Sequence, residues 1–189
     1  MDVAIGLPNA VPGTTGEQLT EWARRAEARG FSSLGTIELW ADETMGPSIG
    51  SLPTLLVGGG VDATFARAAA HGDGWIAGGA PPEAFAEMAQ KVKEEWSKAG
   101  RDGEPKLAGL GYFSLGENAE EDANAYLKDY YAWLGEETAG YIAGSAAKDA
   151  ETVQGYLAAF EGVGCDELIL FPSSSDPAQV DLLADAAGL

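Results

Sequence analysis

One cysteine and one histidine, Cys165 and His71, stand in the whole chain. A lone cysteine excludes an internal disulfide and suits a reducing cytoplasm, the expected location. The same scarcity leaves no ligand set for a zinc site of the usual nitrogen–sulfur type, and no metal is expected. Basic residues are the next shortage: 11 Lys and Arg against 30 Asp and Glu give a formal net charge of −19. Beyond Leu107 the only cations are Lys128 and Lys148. Such a surface repels a nucleic-acid backbone and an anionic membrane alike, and no basic stripe offsets it. No apolar run reaches membrane-spanning length, and the opening residues MDVAIGLP lack the charged start and long apolar core of a secretory signal. Neither a Ser-His-Asp or Cys-His pattern nor a close carboxylate pair stands out.

What the chain does have is concentrated in residues 54–76, TLLVGGGVDATFARAAAHGDGWI. Thr54–Val57 is a short apolar, β-rich run, followed at once by Gly58, Gly59 and Gly60. A helix with small inner residues comes next (Ala63, Ala66, Ala69, Ala70), and Gly72-Asp73-Gly74 turns it into a second strand at Trp75-Ile76. Glycines at the carboxyl end of a parallel strand let the backbone approach a ligand closely and aim N–H groups and the next helix N-terminus at an anion. The glycines are consecutive, so this is not the dinucleotide fingerprint G-x-G-x-x-G. A tight βα turn of an ordinary α/β protein is the plainer reading of the triplet.

The rest of the chain alternates strands and helices without a linker, so one domain over residues 1–189 is expected. Val3–Leu7 reads as a strand. Thr14-x-x-Glu17 reads as a capping box, opening a helix on Leu19, Trp22, Ala23 and Ala26 that Gly30 stops. Phe31–Ile37 is a second strand, and a short helix near Leu39–Thr44 precedes a Gly/Pro/Ser loop. Pro81-Pro82 starts a helix with Phe85, Met88, Ala89, Val92 and Trp96 on its apolar face. Lys106–Leu115 is the fifth strand. Helical stretches at about Asn118–Leu134, Gly140–Ala146 and Ala150–Glu161 lead to a sixth strand, Glu167–Phe171, and a closing helix after Ser175-Asp176-Pro177. This pattern implies a parallel sheet of about six strands, with ligands at the strand carboxyl ends.

Three segments then carry a family resemblance: WARRAEARGFSSLGTIE (Trp22–Glu38), LLVGGG…RAAAHGDGWI, and GVGCDELILFP (Gly162–Pro172). Together they resemble the luciferase-like monooxygenase superfamily, of the bacterial luciferase and F420-dependent oxidoreductase type. That resemblance implies a (β/α)₈ barrel using FMN or the deazaflavin F420. The chain is about 60 residues short of a typical closed barrel. The expectation is a truncated, TIM-barrel-like α/β fold in which two βα units and an insertion are missing between about residues 39 and 53. The resemblance assigns cofactor phosphates to Gly58, Gly59, Gly60, Gly78 and Gly79, and leaves Glu38 as the acid near the ring. The family's basic or aromatic partner after that acid is replaced by Leu39.

Other candidates have plainer readings beside the functional ones. Arg67 either reaches an anion from the helix after the glycines or belongs to a solvated face. His71 suits a capping role near a helix end. Asp73 suits a turn at the amino end of its strand, and Cys165 an ordinary buried thiol. Tyr126, Tyr130, Tyr131 and Trp133 have near-helical spacing that suits core or subunit packing better than an aromatic pocket. Six strands cut from an eight-stranded barrel leave exposed edges, so a homodimer or larger assembly is expected. Two functions stay open: a reduced flavin- or F420-dependent oxidoreductase or monooxygenase, and a noncatalytic flavin-binding or interaction protein derived from that family. A phosphate-ester-binding barrel enzyme is a third reading, disfavoured by the shortage of basic residues.

Overall fold

The computed structural model describes residues 1–36 and 54–189. Among these, six strands form one sheet: β1 (Asp2–Gly6), β2 (Leu34–Gly35), β3 (Leu56–Gly58), β4 (Gly74–Ile76), β5 (Lys106–Phe113) and β6 (Glu167–Pro172). The helices are α1 (Gly16–Arg29), α2 (Asp62–His71), α3 (Pro82–Lys98), α4 (Ala119–Tyr130), α5 (Glu136–Ser145), α6 (Ala150–Gly162) and α7 (Ala178–Ala187), with a 3₁₀ turn at Ala132–Leu134. Every pairing is parallel and the strand order is β2-β1-β6-β5-β4-β3. Strands consecutive in sequence are neighbours, and the last full strand lies beside the first. The single exception is β2 and β3, which stand at opposite ends of the sheet. This is a barrel order with one break, and the sheet curls into a half-barrel.

Both faces of the sheet are covered, so its central strands read as continuous apolar runs. All six residues of β6 are buried. One face carries Ile5, Trp75, Leu107, Phe113, Leu168 and Leu170, packed against α1, α2, α3, α6 and α7 through side chains such as Trp22, Phe65, Phe85, Phe160 and Leu183. The other face carries Ala4, Tyr112, Ile169 and Phe171, covered by Ala123, Tyr126 and Leu127 of α4 and Ala143 of α5. The curl brings this face close to itself. A Cβ on Gly6 would lie 2.1 Å from the Phe171 ring, and one on Gly35 would lie 2.9 Å from Ile169.

Local chemistry departs from the sequence reading in three places. The capping box sits one residue later: Thr15 is the N-cap and Gln18 closes the box, because the Thr14 hydroxyl is already bonded to the carbonyls of Pro8 and Val11. The second strand is only Leu34–Gly35 among the described residues; Ser32 and Ser33 before it still bond to β1 through Val3 O and Ile5 N, and their hydroxyls turn to Glu167 at 2.8 Å each. The long helix expected to Leu134 stops at Tyr130; the chain there switches to a 3₁₀ turn, and Gly135 at φ 91° starts α5. The short helix expected at Leu39–Thr44 lies outside the described residues.

The amino ends of the strands are fastened by one buried carboxylate. Glu167, 3 % exposed, accepts both serine hydroxyls and pairs with Lys106 Nζ at 2.8 Å. Burial alone would push this carboxyl up; Lys106, Ser32 and Ser33 outweigh burial and hold it below the usual glutamate range. The folded state therefore binds this proton more weakly than the unfolded chain. Its stabilisation is fully present above the ordinary glutamate pKa of about 4.3 and is lost as pH falls through the lower folded value. Glu167→Ala leaves Lys106 and two hydroxyls without their acceptor, and a loss of about 2–3 kcal/mol is expected. Urea unfolding at pH 7 and pH 3 checks both statements: the difference between wild type and variant should shrink at the lower pH.

Candidate functional site

The two glycine turns lie side by side at the carboxyl end of the sheet. β3 and β4 pair in the register Val57↔Trp75 and Gly58↔Ile76. Gly59-Gly60 therefore leaves one strand next to Gly78-Gly79 leaving the other. Gly59 has φ 131°, and a Cβ there would lie 2.8 Å from the Thr64 Oγ1, so the position requires glycine. The turn is also anchored from below. Trp75 Nε1 donates to the Gly59 carbonyl at 2.7 Å, while the fully buried Trp75 ring is held between Phe65 and Phe85 at centroid distances of 5.9 and 5.6 Å.

Each turn feeds a helix whose first N–H groups have no side-chain cap. Val61 precedes α2 and Pro81 precedes α3, and neither supplies one. Thr15 caps α1 and Asp149 caps α6, whereas α4, α5 and α7 lack a side-chain cap as well. Two uncapped N-termini with aligned dipoles favour an anion there. Gly58, Gly59, Gly60, Gly78, Trp75, Met88 and Leu110 are among the walls of a 310 Å³ cleft at this place.

A second cavity, of 430 Å³, shares Gly78 and Leu110 with the first. It exists because neighbouring strands differ in length. β4 stops at Ile76, opposite Ala108, whereas β5 continues to Phe113. Among the described residues, another segment, at Ala147, closes that side only at Phe113. The gap between is walled by Tyr112, Tyr131, Leu134, Tyr141, Ile142, Tyr156 and Phe160. The Tyr112 and Tyr131 hydroxyls lie 2.7 Å apart. Burial pushes the Tyr112 phenol far above its ordinary value, with the Tyr131 hydrogen bond adding to it, so it stays neutral. The Tyr156 phenol is raised by burial as well, and its hydroxyl donates to the Ser145 carbonyl.

Three buried oxygens at the same end of the sheet lack a partner among the described residues: Asn9 Oδ1 after β1, Ser114 Oγ after β5 and Ser173 Oγ after β6. Ser114 and Ser173 follow directly on the Phe113↔Pro172 pair. Gln179, which is buried, clamps the same region: its side chain accepts from Leu115 N at 2.8 Å and donates to Leu115 O at 2.7 Å.

The structure brings together Gly58, Gly59, Gly60, Gly78 and Gly79, while Glu38 lies outside the described residues. Arg67 is on the exposed face of α2. Helical Cβ atoms tilt toward the N-terminus, which leans Arg67 back toward the glycine turn. Of the 11 Lys and Arg residues, Arg67 and Lys128 are the two with neither a hydrogen bond nor an ion pair among the described residues. His71 is exposed in the last turn of α2, but the carbonyls at that end are taken by Arg101, which donates to Ala69 O at 2.9 Å and Gly72 O at 3.1 Å. Asp73 is a turn residue, accepting from Leu55 N at 2.8 Å. Tyr126 is buried against the sheet, Tyr131 walls the second cavity, and Trp133 is 77 % exposed. Sequence reasoning missed Trp75 as an anchor and Tyr112 as a cavity wall; alternation along β5 was the only signal for the latter.

The family described as luciferase-like monooxygenase matches residues 40–168, more than half of the chain. No curated protein matches. A solved F420-dependent secondary alcohol dehydrogenase, in complex with an F420–acetone adduct, is similar over 98% of this chain and 98% of its own, at 14% identity and a TM-score of 0.67. A coenzyme F420-dependent tetrahydromethanopterin reductase from Methanopyrus kandleri aligns over 68% of this chain and 48% of its own, at 15% identity and a TM-score of 0.49. At such identities the first likeness is one of fold. No helix among the described residues is long and apolar enough to cross a membrane.

Cys165 takes no part in this site. It is 5 % exposed, its Sγ donates to Glu167 O at 3.2 Å, and burial pushes the thiol up to about 11. At pH 8 the folded protein should react with a disulfide reagent about 100-fold more slowly than the urea-unfolded chain. Immediate stoichiometric labelling of the folded protein would contradict this placement.

Proposed function

The chain belongs to the luciferase-like monooxygenase family, and on that premise we propose that it is a flavin- or F420-dependent oxidoreductase whose cofactor phosphate rests on the Gly58–Gly60 turn. The single observation that carries this reading is the paired arrangement of two glycine turns and two uncapped helix N-termini on adjacent strands. The residues present fit an anionic group: the N–H groups of Gly59, Gly60 and Gly78 and the first turns of α2 and α3 donate to it, and Arg67 supplies the charge. The cleft beside them carries the apolar side chains of Ile76, Met88 and Leu110, which suits a flat ring. When bound, such a cofactor supplies hydride transfer or, as a reduced flavin, reaction with oxygen. The described walls of both cavities hold no carboxylate, histidine, lysine or arginine. This chain's described residues therefore bind and orient, and the neutral Tyr112–Tyr131 pair adds hydroxyls to the wall of the second cavity. Glu38, outside the described residues, stays the proposed acid–base group.

Titration of the purified protein with FMN and with F420, followed by fluorescence and absorbance, tests the reading. Saturable micromolar binding is expected, weakened at least tenfold by Gly59→Val and about threefold by Arg67→Ala. The valine collides with Thr64 and forces a backbone conformation that only glycine adopts easily. Affinity unchanged in Gly59→Val would remove the phosphate assignment, and failure to bind either cofactor would favour the noncatalytic reading.

Among the described residues no strand pairs with the outer sides of β2 and β3, which supports a second proposal, a homodimer. Leu34 on β2, and Leu55 and Val61 flanking β3, are all exposed large apolar residues at those ends. Sedimentation at micromolar concentration should give twice the monomer mass; a compact monomer rules the assembly out.

A further inference from the structure

We propose that the tyrosine cluster joining β5 to the end of α4 is a radical relay, which carries one-electron oxidising equivalents from the second cavity to the surface. The inference rests on the oxidoreductase reading for its oxidant, an oxygen-derived radical. All 6 tyrosines fall between residues 112 and 156, and the rings of Tyr112, Tyr131, Tyr130 and Tyr126 form one unbroken run. Tyr112, on β5, walls the 430 Å³ cavity and is 6 % exposed. Its ring lies 6.0 Å from that of Tyr131, which lies 4.9 Å from that of Tyr130, both edge to face. Tyr131 and Tyr130 are half-buried, so the run reaches solvent within two steps. The glycine cleft is bounded differently. There Trp75 stands between Phe65 and Phe85, rings far harder to oxidise than a phenol.

Packing alone does not call for phenols in this run. Phenylalanine would fill the same space, and burying a hydroxyl carries a desolvation cost that a bond to a second hydroxyl offsets only in part. What the Tyr112–Tyr131 pair gains is a path for a proton, since the two oxygens lie 2.7 Å apart. Burial disfavours the phenolate at Tyr112, so an electron leaves that ring together with its proton. With Tyr131 donating to Tyr112, the Tyr112 O–H is left for the oxidant. A hydroperoxyl radical takes that hydrogen atom and leaves as hydrogen peroxide. The Tyr112 oxygen then takes a hydrogen atom from Tyr131: one O–H forms, the other breaks, and the electron moves with the proton. Tyr130 passes an electron to Tyr131 through the ring contact, Tyr131 regaining its proton from water and Tyr130 losing its own to water. A thiol or ascorbate in solution returns a hydrogen atom to Tyr130.

The test places an oxidant at the cavity without any cofactor, so failure of the relay and failure of the cofactor assignment are separable. Ser145 is an exposed residue of the cavity wall and Cys165 is buried, so a ruthenium tris-bipyridyl iodoacetamide labels the Ser145→Cys protein at that one position. Flash excitation with chloropentaamminecobalt(III) as electron acceptor turns the tethered ruthenium into a one-electron oxidant. A nitroso spin trap followed by peptide mass spectrometry locates the radical. Trapping on Tyr130 is expected, and adding Tyr131→Phe, which keeps the ring, should lower it about tenfold. Tyr131→Trp supplies an oxidisable ring without a phenol and should restore it, which a packing role for Tyr131 does not predict. Absence of an adduct on Tyr130, or an adduct there undiminished by Tyr131→Phe, would overturn the inference.

Discussion

The pairing of β6 between β1 and β5 is the constraint on which the structure rests. It joins the end of the chain to its beginning: Asp2 to Ile5 align with Glu167 to Leu170, and β5 aligns with β6 over six residues. Such contacts span most of the sequence, so the sheet has no central strand until the last βα unit arrives. The strand repays that loop-closure cost by burying both of its faces. Leu168 and Leu170 enter the side packed by α1, α2, α3, α6 and α7, Ile169 and Phe171 the side covered by α4 and α5. Glycines at 6 and 35 give Phe171 room to lie across β1 and β2. Glu167 ties Ser32, Ser33 and Lys106 together at one end, and Gln179 clamps Leu115 at the other.

Against this rigid centre, β3 and β4 are short, and the candidate site follows from that inequality. Three-residue strands end early and release their glycine turns beside a strand of eight. The step leaves one side of β5 open between Ala108 and Phe113, and the two cavities occupy it with Gly78 and Leu110 as their common wall. Trp75 links the parts, since the residue that packs the core also fixes the Gly59 carbonyl. Core stability and turn geometry are therefore coupled at one side chain.

The charge distribution sharpens the assignment. Cations are few, and most are engaged in holding the fold: Arg25 and Arg29 bind α1 to Asp181 and Asp185 on α7, Arg101 closes α2, and Lys106 neutralises Glu167. Recognition of an anion in so acidic a protein has to come from backbone N–H groups and helix ends, which carry no net charge and do not depend on sparse side chains. Arg67 is the exception near the turn.

Composition and periodicity determined the α/β class, the count of six strands, their parallel direction and the glycine turn at a carboxyl end, because these depend on local preferences and on the burial of apolar runs. The family was legible for the same reason: its marks are turns and strand ends with fixed local geometry. The tertiary structure decided what local pattern cannot encode. It shifted the α1 cap to Thr15, since Thr14 is claimed by Pro8 and Val11; it gave the carbonyls at the end of α2 to Arg101, far along the chain; and it opened a cavity at Tyr112 and Tyr131. Each of these outcomes depends on which distant groups meet, and that is fixed only when the last strand takes its place beside the first.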